Sequence, residues 1–173
     1  MGGTLIESPW VRMPLVLAIA LMFQTTLLAE VRPLGASIDL ALLMAVCAGA
    51  AAGPLRGARA GLVIGFALDL LLTKPIPFGL SAFVFAVIGY VVGLLPDALY
   101  DGRWIVRAFV VAVASGLGGV FYAAVATVFG VPNVSLTHVL AVLVVLAVSS
   151  FLLAPIVLRL MLWVFMAGDR VRA

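Results

Sequence analysis

The chain has 173 residues, 66% of them hydrophobic and 10% charged, with a mean hydropathy of +1.35 and a formal net charge of +3. A soluble domain is nearer half apolar and a quarter charged, because its surface faces water, so soluble, disordered, collagenous and disulfide-scaffold folds are excluded. What remains is an all-α polytopic membrane protein. At about 20 residues per span the chain has room for about six transmembrane helices and for no soluble domain, which makes residues 1–173 a single transmembrane domain.

Six apolar runs cover residues 13–29, 38–53, 60–72, 79–95, 105–129 and 138–165. The first has the length of a signal-peptide core. Glu7 precedes it, however, and Leu27-Leu28-Ala29 is a poor cleavage site, so it reads as a retained helix. The second run holds Cys47, the only cysteine, which has no partner for an internal disulfide and reads as a small, inert hydrophobe.

The third run has 13 residues, about 20 Å of helix against a hydrocarbon core of roughly 30 Å. It is too short alone, and it leads into Thr73-Lys74-Pro75-Ile76-Pro77-Phe78-Gly79, whose prolines cannot continue a helix. Irregular backbone at membrane depth must be covered by protein or wetted, which makes this stretch the most informative in the chain. In the last run Pro155 introduces a kink that neighbouring helices can accommodate.

Cation placement sets the orientation. With the N-terminus inside, Arg12, Arg56, Arg59, Arg103, Arg107, Arg159, Arg170 and Arg172 fall on the cytoplasmic side, against Arg32 and Lys74 outside. Trp10, Trp104 and Trp163 fall at the same inner ends, as an aromatic belt places them. Both termini are expected in the cytoplasm. The cations are scattered singly rather than gathered on one face, which argues against a nucleic-acid partner.

Few residues suggest chemistry. Asp69 lies near the outer end of the third run, where a carboxylate costs up to about 2.5–3.5 kcal/mol toward mid-bilayer and needs a partner. It could serve a proton relay or bind a ligand. The favoured reading is structural: it accepts hydrogen bonds from the N–H groups of the following turn, or pairs with Lys74.

Small residues recur every fourth position at Gly57, Gly61 and Gly65, at Gly89 and Gly93, and at Ser115 and Gly119, a spacing that lets helix backbones approach closely in lipid. Packing within this chain is favoured over contact with another membrane protein. Asp97 and Asp101 lack a third acid or a histidine for a metal cage and read as a solvated loop paired with Arg103 and Arg107.

His138 is the only histidine, so multi-histidine metal sites are excluded. A Ser115–His138 dyad is excluded by depth, since Ser115 lies about 21 Å of helix below the outer end where His138 opens its span. No phosphate-binding glycine loop is present. Nothing resembles a catalytic centre, and no cofactor or metal is expected.

Gly65-Phe66-Ala67-Leu68-Asp69 through Pro77, Phe78 and Gly79, followed by Gly89-Tyr90-Val91-Val92-Gly93, resembles the MreD family of bacterial rod shape-determining membrane proteins. That family's pattern is a glycine-containing helix ending in Asp, a Pro-x-Gly turn, and an apolar helix ending Gly-Tyr-x-x-Gly. Asp69, Pro77, Gly79, Gly89, Tyr90 and Gly93 occupy the matching positions, whereas Lys74 and Pro75 do not belong to it.

The resemblance implies a non-enzymatic subunit of the cell-elongation complex in the bacterial cytoplasmic membrane. It implies that the chain binds MreC and supports peptidoglycan synthesis by RodA and a class B penicillin-binding transpeptidase, with MreB filaments reached indirectly and membrane lipid as surroundings. It also implies a six-helix fold similar to the substrate-binding subunit of energy-coupling-factor vitamin transporters. A small-molecule binder is therefore the competing reading, with Arg32, Asp39, Lys74, Asn133 and His138 as the polar groups available to an outer cavity. A lipid-modifying enzyme ranks third, since no acid–base or metal set is present.

Overall fold

In a computed structural model of the chain, residues 9–26, 39–71, 78–95, 104–129 and 136–170 are described, with side chains excepted at 9–11, 25, 136–138 and 166–170. They form six α-helices: α1 (Pro9–Thr26), α2 (Leu40–Ala52), α3 (Pro54–Leu71), α4 (Leu80–Gly93), α5 (Trp104–Val128) and α6 (Leu136–Arg170). The prolines Pro75 and Pro77 lie outside the described residues, as does the Asp97–Arg103 loop.

The third helix is longer than its apolar run. It has 18 residues, about 27 Å, and begins at Pro54 rather than at residue 60. Proline is favoured at the first helical position, where its missing N–H costs nothing. Arg56 and Arg59 are exposed and lie in the first two turns, so a helix whose stem they can lie along continues where hydropathy falls. Gly53, with φ of +83°, ends α2 and turns the chain directly into α3, a conformation that L side chains resist. The last helix likewise outruns its apolar stretch, with 35 residues and Pro155 inside it.

The helices form an antiparallel bundle around α2. Residues Ala41 to Gly49 of α2 are all buried, so it is apolar on every side and sits at the centre. Leu42 and Leu43 of α2, Ile64 and Leu68 of α3 and Phe85 of α4 are among the largest fully buried side chains. The outside is apolar as well: Leu152 is 67% exposed, Val128 83% and Phe109 61%.

Two helices are long and apolar enough to cross a bilayer by themselves among the described residues, Trp104–Val128 and Val139–Phe165. Their apolar windows are 39% and 22% buried. The core helix of a soluble protein would be mostly buried, whereas most of each window here is not.

Candidate functional site

On either side of residues 72–77, which lie outside the described residues, α3 and α4 pack as an antiparallel hairpin whose geometry is set by glycine. A Cβ on Gly57 would lie 2.5 Å from the Gly89 carbonyl oxygen and 2.5 Å from Cα of Gly49. One turn on, a Cβ on Gly61 would fall on the Phe85 carbonyl, and one turn further a Cβ on Gly65 would fall on the Ser81 carbonyl. A Cβ on Gly93 would meet Gly53 C and Pro54 Cα at 2.5 Å. Each step of four up α3 is thus matched by a step of four down α4. Backbone meets backbone along the whole seam, the approach that gives dispersion and weak Cα–H···O contacts their full effect in lipid.

Asp69 lies one turn beyond Gly65, at the level where α4 begins. Its Oδ2 accepts a hydrogen bond from Gly79 N–H at 3.0 Å and another from Ser81 N–H at 3.1 Å. A helix leaves its first four N–H groups without internal partners. Asp69 supplies an acceptor for two donors at the start of α4 and sets negative charge at the positive end of that helix. Gly79 is the N-cap residue itself, at φ of +95°, and offers no side chain for the purpose. Ser81 is fully buried, and its Oγ–H donates to Tyr122 OH on α5 at 3.5 Å.

A second carboxylate does the same work for α2. Asp39 is its N-cap residue, and Oδ1 accepts from Leu42 N–H at 3.0 Å. Gln24 of α1 closes the group: its Nε2 donates to Asp39 Oδ1 at 3.2 Å, and its Oε1 accepts from Ala41 N–H at 3.0 Å. Asp followed directly by an apolar run is an N-cap signature, so this role is legible in the sequence. Asp39 is thereby occupied as a cap. Of the other groups considered for an outer ligand cavity, Arg32, Lys74 and Asn133 lie outside the described residues, and the side chain of His138 is not described.

The remaining predicted positions separate. Gly119 belongs to a different seam, where a Cβ would strike Leu146 of α6, and neighbouring Gly116 faces Leu143 and Ala147. Ser115 is fully buried on α5, and its Oγ has no hydrogen-bond partner among the described residues. Tyr90, by contrast, is 42% exposed on the outer face of α4 and takes no part in the glycine seam. It shares the hairpin's exposure with Phe66, Phe78 and Phe83; Phe66 and Phe78 meet edge to face at 5.3 Å.

Gly49 is a position the pattern contains and the sequence reading passed over. It touches both Gly57 and Gly89, so three helices cross at one point. The signal was present: Gly49, Gly53, Gly57, Gly61 and Gly65 follow one another at intervals of four, interrupted only by the reversal at Gly53.

The bundle is also polar in its charge. Among the described side chains the cations are Arg12, Arg56, Arg59, Arg107 and Arg159. Arg12 stacks over Trp163 with 4.2 Å to the ring centroid and donates to the Trp163 carbonyl, which ties the start of α1 to the end of α6. Arg56 and Arg59 start α3, and Arg107 starts α5 beside Arg159 of the antiparallel α6. Asp39 and Asp69 lie at the opposite end, where α2 and α4 begin.

An all-helical bundle with an apolar exterior and its charges gathered at the ends defines a helical membrane protein. The chain matches the family of the rod shape-determining protein MreD across residues 6–168 of 173, and it belongs to that family. Comparison with curated proteins and with solved structures finds no match.

Proposed function

We propose that this protein is a non-enzymatic scaffold of the cell-elongation machinery, spanning the bacterial cytoplasmic membrane six times with both termini inside. In this reading it binds MreC and through it supports the peptidoglycan synthesis of RodA and a class B penicillin-binding transpeptidase, with MreB acting indirectly. Membership of a shape-determining membrane family supports the setting. The segregation of the described arginines to one end and of Asp39 and Asp69 to the other supports the orientation, under the positive-inside rule. A likeness to the six-helix binding subunit of vitamin transporters belongs to the same proposal.

The observation that carries the reading is the α3–α4 hairpin. Glycine contacts and the Asp69 cap lock it into one arrangement, while its outer face exposes Phe83, Tyr90 and Leu94. A rigid apolar face of this kind fits a single transmembrane helix packed alongside. The test is affinity purification of the tagged protein from native membranes in mild detergent, with mass spectrometry of what stays bound. Recovery of MreC with RodA or its transpeptidase is the expected result. Recovery of an ATPase with a transmembrane coupling subunit would instead identify a transporter subunit.

A further inference from the structure

An open cleft of about 950 Å³ lies between α5 and α6 at the arginine end of the bundle, away from the α3–α4 hairpin. Trp104, Arg107 and Ala108 line it from α5, and Ala154, Pro155 and Arg159 line it from α6. Of its lining residues, Ala108 and Ala154 are buried. Its lining includes two guanidinium groups and an indole that is 64% exposed.

This is an amphipathic site. Apart from Trp104 and the two arginines, every residue of its lining is apolar. Guanidinium groups bind phosphate oxygens through paired N–H donors, and tryptophan prefers the headgroup level of a bilayer. Basic clefts between transmembrane helices on the cytoplasmic side are the kind that take anionic lipid headgroups. We propose that this cleft binds an anionic phospholipid, with Arg107 and Arg159 on the headgroup phosphate, Trp104 beside the headgroup and Ala108, Ala154 and Pro155 along the acyl chain. The site rests on the membrane assignment and not on the identity of any protein partner.

The test is native mass spectrometry of the delipidated full-length protein titrated with phosphatidylglycerol or with phosphatidylcholine of the same chains. Phosphatidylglycerol is expected to bind on the order of tenfold more tightly. The double variant R107Q/R159Q is expected to lose that preference, and R56Q/R59Q, which removes the same charge from the same end outside the cleft, to keep it. Equal binding of the two lipids, or equal loss in both variants, would overturn the site.

Where R107Q/R159Q fails to fold, the W10F/W163F protein leaves Trp104 as its single tryptophan. Brominated phosphatidylglycerol should then quench Trp104 more strongly than brominated phosphatidylcholine, and equal quenching would overturn the proposal. Displacement of the lipid by glycerol phosphate alone would make this a site for soluble anions and overturn it too. Neither readout involves MreC, so this site and the scaffold reading fail separately.

Discussion

Gly61 of α3 lies directly against the Phe85 carbonyl of α4, with no room for a methyl group between them. The contact is repeated one turn away on each side by Gly57 with Gly89 and by Gly65 with Ser81. The hairpin is therefore closed by backbone rather than by side chains, and it can be opened by single carbons.

Gly61→Ala is expected to cost about 1–3 kcal/mol, the range for forcing extra volume into packed structure. The measurement is thermal unfolding of the purified protein in detergent. Gly118→Ala is the internal comparison, because its new methyl meets the flexible ends of Ile88 and Leu42 and should cost less.

Asp69 should matter through its oxygen first and its charge second. Asp69→Ala leaves two helix-start N–H groups without their acceptor and is expected to cost about 1–2 kcal/mol, as for loss of an N-cap. Asp69→Asn keeps an acceptor and should lose less, while Asp97→Asn should leave both stability and MreC co-purification unchanged. Equal behaviour of the Asp69 and Asp97 variants would remove the special place given to Asp69.

Gly79 tests conformation, since among the described residues nothing lies within 4 Å of a Cβ built there. Its φ of +95° makes Gly79→Ala expected to cost roughly 1–2 kcal/mol. Gly79→Asn should cost less, because asparagine tolerates the left-handed region. Unfolding midpoints of the two variants give the ranking.

Much of this was legible in the sequence, and the exceptions have physical causes. Small residues every fourth position and a lone Asp before a turn mark the hairpin, because close helix approach and an orphaned helix start each need particular residues. The start of α3 was hidden because hydropathy reads Arg56 and Arg59 as the end of a span, although proline at the first position and exposed arginine stems continue the helix. Gly49 was hidden by the reversal at Gly53, which moves one glycine series onto two helices. Which glycines share a seam depends on register across three helices, and spacing along the chain does not contain that.

Ser115 offers the reverse case, a buried hydroxyl whose Oγ lacks a partner among the described residues. Ser115→Ala removes a polar group that burial disfavours and is expected to leave the unfolding midpoint unchanged or to raise it. A clear loss of stability would assign that hydroxyl a partner.

In the proposed function the outer face of the α3–α4 hairpin receives a transmembrane partner. The most direct measurement places a photoreactive benzoyl-phenylalanine at Phe83 or Tyr90, and in parallel at Val148 or Leu152 on the exposed face of α6, in cells carrying the whole machinery. The account predicts MreC cross-links from Phe83 and Tyr90 and none from Val148 or Leu152. MreC captured only from α6, or not captured from any of the four positions, would contradict it.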